Sequence, residues 1–196
     1  MSAAGTDIPL TPLLARLYID RAIELMRAGR SMEELPTSIA EAHFEFIRLL
    51  LRKEPSLDQA TALACIKTLG KVTLGERFIP SKLPLAVVLV ELKSLVADRG
   101  MAVVKTLIAA GVLREEEMGL GKSISFTLDP VAEFCAAYAY AEDLGFDLLA
   151  WSRFRDKLFS GSSFPLGFRD ALRAVVQSSA RKGICTNEVV GWFMSE

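Results

Sequence analysis

The stretch 39–52 limits the architecture more than any other part of the chain. As a helix it carries Phe44, Phe46, Ile47, Leu49, Leu50 and Leu51 around most of its circumference. A helix that is apolar nearly all round has no face to give to water, so it must lie among other helices. Ser38 with Glu41 three residues on has the capping-box spacing that starts such a helix. Pro55 ends it, because proline cannot continue the ladder of helical hydrogen bonds.

Before it, Thr11-Pro12 reads as a helix start, with the threonine at the cap and the proline at the first helical position. Leu13, Leu14, Leu17, Ala22, Ile23 and Met26 follow mainly at three- and four-residue spacing, with Arg16, Asp20 and Arg27 on the other side, until Gly29 stops the helix. After it, Ser56 or Asp58 starts a helix through Leu63, Ile66 and Leu69 toward Gly70 or Gly75. Residues 78–81 are expected as loop or extended chain. Residues 84–96 are expected as a helix, although Val87, Val88 and Val90 make a strand competitive on propensity. A short helix over 101–110 is ended by Gly111.

Val112-Leu113-Arg114 and Ser123-Ile124-Ser125-Phe126-Thr127-Leu128 then read as two short strands, the second alternating polar and apolar, around a turn containing Glu115-Glu116-Glu117. Asp129-Pro130 is expected as the cap and first-turn proline of a helix ending near Gly145. Three helices, a β-ribbon and a closing helix are the order of a winged helix. The remainder suggests helices over 148–159, 168–181 and from Thr186 onward, with a Gly/Ser/Pro loop over 160–167. The fold class expected is therefore mainly α: a helical segment, 8–55, a winged-helix domain with one short β-ribbon, 56–145, and a helical tail, 146–196.

Charge and cysteines narrow the function classes. Lys plus Arg number 23 against 24 for Asp plus Glu, so no bulk field draws in nucleic acid or an anionic membrane. Cys65, Cys135 and Cys185 are odd in number and far apart, which argues against a disulfide framework or a zinc site and points to a reducing, cytoplasmic setting. The apolar run 83–92 is interrupted by Pro84 and Glu91, and is too short for a bilayer span of about 20 residues. Residues 1–7 are small and polar, unlike a secretory leader.

Candidate chemistry is sparse. Gly121-Lys122-Ser123 looks like the end of a phosphate-binding P-loop, but Glu116 stands where the first glycine belongs and the flanking elements are strands. A hairpin turn is expected there. His43 is the sole histidine and lies in the most apolar helix, so a packing or surface role is expected of it. The three consecutive glutamates point in different directions, which suits a solvated turn better than an ion site. The would-be recognition helix 101–110 offers only Lys105 and Thr106 to DNA, beside an acidic wing. No metal site and no catalytic constellation is expected.

Three stretches together carry a resemblance: Thr11-Pro12-Leu13-Leu14; Leu35-Pro36-Thr37-Ser38-Ile39-Ala40-Glu41 leading into Phe44 and Phe46; and Phe126 to Ala137, reading FTLDPVAEFCAA. In this order, over roughly residues 8–145, the chain resembles the part of NACHT-type STAND NTPases that follows the nucleotide-binding core, a small helical lid and a winged-helix domain. The resemblance implies conformational control of an ADP/ATP switch by interdomain packing, with no catalysis in this chain. It implies that Pro12 packs beside the adenine of a nucleotide held by a longer parent protein, and that the winged helix closes over that nucleotide at rest. Many members touch the ADP phosphate with a histidine where this chain has Leu128, so that contact is not carried over. The implied partners are an upstream nucleotide-binding core and a downstream sensor domain of the same parent, with no nucleic acid and no membrane. The competing expectations are a free-standing winged-helix DNA-binding regulator and an unrelated helical adaptor.

Overall fold

The computed structural model describes residues 12–32, 35, 36, 38–52, 54, 58–119, 121–160 and 166–194; for Pro12, Leu13, Leu14, Leu17 and Met118 it describes the backbone alone. The elements are α1 (Pro12–Arg27), α2 (Ile39–Leu51), α3 (Gln59–Leu74), β1 (Leu83–Pro84), α4 (Leu85–Val96), α5 (Gly100–Ala109), β2 (Leu113–Met118), β3 (Gly121–Phe126), α6 (Asp129–Leu144), α7 (Leu148–Phe159), α8 (Leu166–Arg181) and α9 (Asn187–Met194). The protein is mainly helical, with one small antiparallel sheet.

The helix starts follow local capping chemistry. Ser38 Oγ accepts the Glu41 amide at 3.2 Å, an Asp58 carboxylate oxygen accepts the Thr61 amide at 2.8 Å, and Asp147 does the same for Ala150 at 3.0 Å. Each satisfies an amide that the first helical turn leaves unpaired. Gly145, at φ +48°, ends α6 in a conformation that a side chain would strain. The expected caps Thr11 and Ser56, and the closing Pro55, lie outside the described residues.

Two local expectations are corrected. Asp129 is the first residue of α6 and not its cap: Leu128 holds that position in an extended conformation, no side chain caps it, and its carbonyl accepts the Val131 amide at 3.0 Å. The glutamates 115–117 are not a turn but the middle of β2, opposite Ile124, Ser123 and Lys122. Three cations make this tolerable: Lys122 bonds Glu115 at 2.7 Å, and Arg114 and Lys82 both bond Glu116. The strand ends instead at Met118, followed by Gly119 at φ +58°. The Gly121-Lys122-Ser123 triplet is thus the start of β3.

The ribbon also gains a third strand. Leu83 and Pro84 pair with Ile124 and Ser123, giving the order β1-β3-β2. Pro84 is tolerable there because an edge strand has a side with no ladder to maintain.

Helix α6 is the centre of the packing. Val131, Phe134, Cys135 and Tyr138 are buried as their spacing predicts, but so are Ala132, Ala136, Ala137 and Ala141. The helix is enclosed on several sides by α2, α3 and α8, and not on one stripe alone. At the crossing with α3 the backbones nearly touch. A Cβ added at Gly70 would lie 2.8 Å from the Ala136 nitrogen and 3.0 Å from the Ala132 carbonyl oxygen, so only glycine fits. Helix α2 is covered nearly all round as expected: among its residues Arg48 alone is exposed. The main core runs without a break from Ala40 to Phe193.

Candidate functional site

Of the three stretches singled out in the sequence, the second and third meet where α2 packs on α6, while the side chains of the first lie outside the described residues. Helix α1 bonds the chain on either side of α2: the Tyr18 hydroxyl donates to the carbonyl of Pro36, ahead of it, at 2.9 Å, and Glu24, which bonds Arg21 of α1 itself at 2.8 Å, bonds Arg52, at its end, at 2.6 Å. The Arg21 hydrogen bond, with the nearby Arg52, holds the Glu24 carboxyl below its usual pKa. On its other side α2 meets α6. The His43 ring stacks on Phe134 with centroids 4.2 Å apart and planes 17° from parallel, and Phe44 meets Tyr138 at 4.8 Å.

His43 therefore has the packing role expected of it. It is 4% exposed, its Nδ1 lies 3.0 Å from the Ile39 carbonyl oxygen, and burial holds its pKa below the usual value. With Nδ1 donating to that carbonyl, the ring is a neutral aromatic plate in the α2–α6 joint. The cysteines are equally inert. All three are buried and free, and burial pushes the Cys65 thiol up to about 11 and that of Cys135 higher still. A thiol so protonated is no nucleophile at neutral pH. Among the described residues no group of His, Cys, Asp and Glu is placed to hold a metal ion.

Lys122 does not cradle an anion. It bonds Glu115, which raises its pKa, and the strand amides around it face the β2 and β1 ladders. A cationic groove of about 640 Å³ between α2, α3 and the end of α6 is also neutralised from within. Lys67 bonds Glu142 and Lys71 bonds Asp143, while their ammonium groups lie over the rings of Phe44 and Tyr140. Arg48 bonds Glu45 at 2.9 Å. A phosphate entering here would have to displace these carboxylates. The Lys67/Lys71 spacing and the Glu142-Asp143 pair were visible in the sequence, but nothing local tied them together.

For Glu133, the acidic position of the third stretch, the resemblance implies a carboxylate that accepts hydrogen bonds from a nearby backbone or basic group. The charges acting on it are instead Asp129 and Asp170, and burial beside them pushes its carboxyl up to about 7. Pro12 opens α1, but the adenine contact expected of it falls on a side chain outside the described residues. On α5 the buried positions are Gly100, Val103, Val104 and Leu107. Met101, Ala102, Lys105 and Ala109 are exposed. This outward face is uncovered, yet it carries a single cation.

A scan against protein-family models and a search of curated proteins find no match to the chain. Among the described residues no helix is long and apolar enough to cross a membrane.

Proposed function

We propose that this chain is the regulatory lid and winged-helix region of a NACHT-like signalling NTPase, acting on an ADP/ATP switch through interdomain packing and performing no catalysis itself. The observation that carries the reading is the α2–α6 joint. The second and third motif stretches meet through His43 on Phe134, with Phe44 on Tyr138 just past the third, and α1 is bonded to Pro36 of the second. Two motifs that only their order linked in sequence are thus in contact, as a lid that transmits movement requires. The winged-helix part of the reading draws on the succession α3, β1, α4, α5, β2, β3 with sheet order β1-β3-β2. In this reading residues 8–55 act as the lid, 56–145 as the winged helix and 146–196 as the tail, in the cytoplasm. ATP or ADP would be held by the parent's upstream core, with Pro12 against the adenine, and a downstream sensor domain would complete the assembly.

The test is calorimetric titration with ATP and ADP. The chain alone should bind neither tightly nor hydrolyse ATP, because no described backbone nest with a free cation cradles phosphate, and Lys122→Ala should change nothing. The chain extended by the coding sequence upstream of Met1 should bind ADP, and Pro12→Ala should weaken that binding. Tight ATP binding by the chain alone, or an upstream sequence without a P-loop, refutes the reading.

One observation favours a DNA-binding regulator instead: the outer face of α5 is open to solvent. Its single Lys105 and a wing whose cations are bonded to glutamates leave little to neutralise phosphate, which supplies most non-specific affinity. Duplex binding with a steep salt dependence that Lys105→Ala flattens would favour that alternative.

A further inference from the structure

Glu133 sits at the joint between α6 and α8. Its carboxyl abuts the first turn of α8: a Cβ built on Gly167 would stand 2.7 Å from Glu133 Cδ. The charges that act on it are Asp129, one turn earlier on α6, and Asp170 on α8, both of its own sign. Beyond Asp129, Lys82 and Arg114 line a small cavity with it, but both are bonded to Glu116. Arg169, beside Asp170, has a partner of its own. Residues 161–165, which precede α8, contain no ionisable side chain.

Two effects compete at this carboxyl. The open amides of a helix start favour an anion. Partial burial next to two carboxylates disfavours it, and no amide hydrogen bond offsets this, so the neutral form persists to about pH 7.

We propose that the three carboxylates of this joint form a proton-controlled clasp, in which protonated Glu133 fastens the first turns of α8 to α6 and ionised Glu133 loosens them. The inference stands apart from the NACHT reading, since it concerns only the contact between two helices of this chain. The sign follows from the direction of the shift. A carboxyl whose folded pKa, about 7, lies above its ordinary 4.5 stabilises the docked state fully at low pH and progressively less as pH rises from 4.5 through 7. Ionisation does not release the helix outright. Phe168, fully buried, stacks on Phe78 with centroids 5.2 Å apart and anchors α8 whatever the charge on Glu133.

The test is hydrogen exchange over the first two turns of α8, in the wild-type chain and in Glu133→Gln, at about pH 4, below the ordinary carboxyl value, and at about pH 8, above the raised one. Comparing the two proteins at the same pH cancels the intrinsic pH dependence of exchange. With the shift discounted for partial exposure, wild type should open about tenfold more readily than the variant at the higher pH, and equally at the lower. Equal exchange at both pH values overturns the clasp. A carbon-13 titration of the Glu133 carboxyl gives a second readout: a midpoint near neutrality that Asp170→Asn lowers supports it, and an ordinary carboxylate midpoint overturns it.

Discussion

Replacing Gly70 with alanine sets helix propensity against packing, and the structure decides the sign. Alanine in a helix interior is favoured over glycine by about 1 kcal/mol. At this position the new Cβ would lie 2.8 Å from the Ala136 nitrogen, 2.9 Å from Cys135 Cβ and 3.0 Å from the Ala132 oxygen. Two of these are backbone atoms held in α6 by its own hydrogen bonds, so no side chain can swing aside. The helices must part by several tenths of an ångström, which loosens dispersion contacts along their whole crossing. Overpacking of this kind costs about 1–3 kcal/mol, and a backbone obstacle places it at or above the upper end. The net loss should be about 2 kcal/mol after the propensity gain. For a chain of this length that lowers the thermal midpoint by about 4–8 °C. Gly191 is the control: it is exposed in α9 with nothing within 4 Å of an added Cβ, so Gly191→Ala should raise stability by about 0.5–1 kcal/mol. Paired thermal and urea melts check both. A Gly70→Ala midpoint at or above wild type would refute the close α3–α6 crossing.

Phe134→Ala removes the ring on which His43 stacks and should cost about 3–5 kcal/mol by urea denaturation; an unchanged midpoint would show that α2 and α6 are not coupled there. Asp129→Ala should change stability by less than about 0.5 kcal/mol, because no side-chain cap is lost and the favourable charge at the helix start is offset by its repulsion of Glu133. A loss typical of a cap, about 1 kcal/mol, would place the helix start at Asp129 after all. Burial lowers the His43 pKa below 6.5, so its neutral form contributes stability that is complete above that value and is lost as pH falls beneath it. Since Glu133 acts with the opposite sign over an overlapping range, melts between about pH 5 and 7 should be made in the Glu133→Gln background. There stability should decline on acidification, and His43→Leu should flatten the decline.

What the sequence determined by itself was local. Ser38, Asp58 and Asp147 begin helices because a short polar side chain meets an amide two or three residues on, an interaction complete within one turn. The burial of α2 followed from its composition, since a helix apolar on most sides has to be covered whatever covers it. Tertiary structure decided whatever needed a partner from far along the chain. Two residues such as Leu83 and Pro84 become a strand only because β3 lies beside them. The glutamates of β2 extend because β3 pairs with them, and Lys82, more than thirty residues earlier, bonds one of them. The three motif stretches were legible as a series, yet the contact that unites two of them, His43 on Phe134, depends on how α2 crosses α6. Glu133 shows the limit most plainly. The resemblance implies a carboxylate ready for a hydrogen bond, but burial keeps the proton on it, helped by Asp129 on its own helix and by Asp170, brought in by α8. A titrating group responds to charges through space, and spacing along the chain records only those that share its helix.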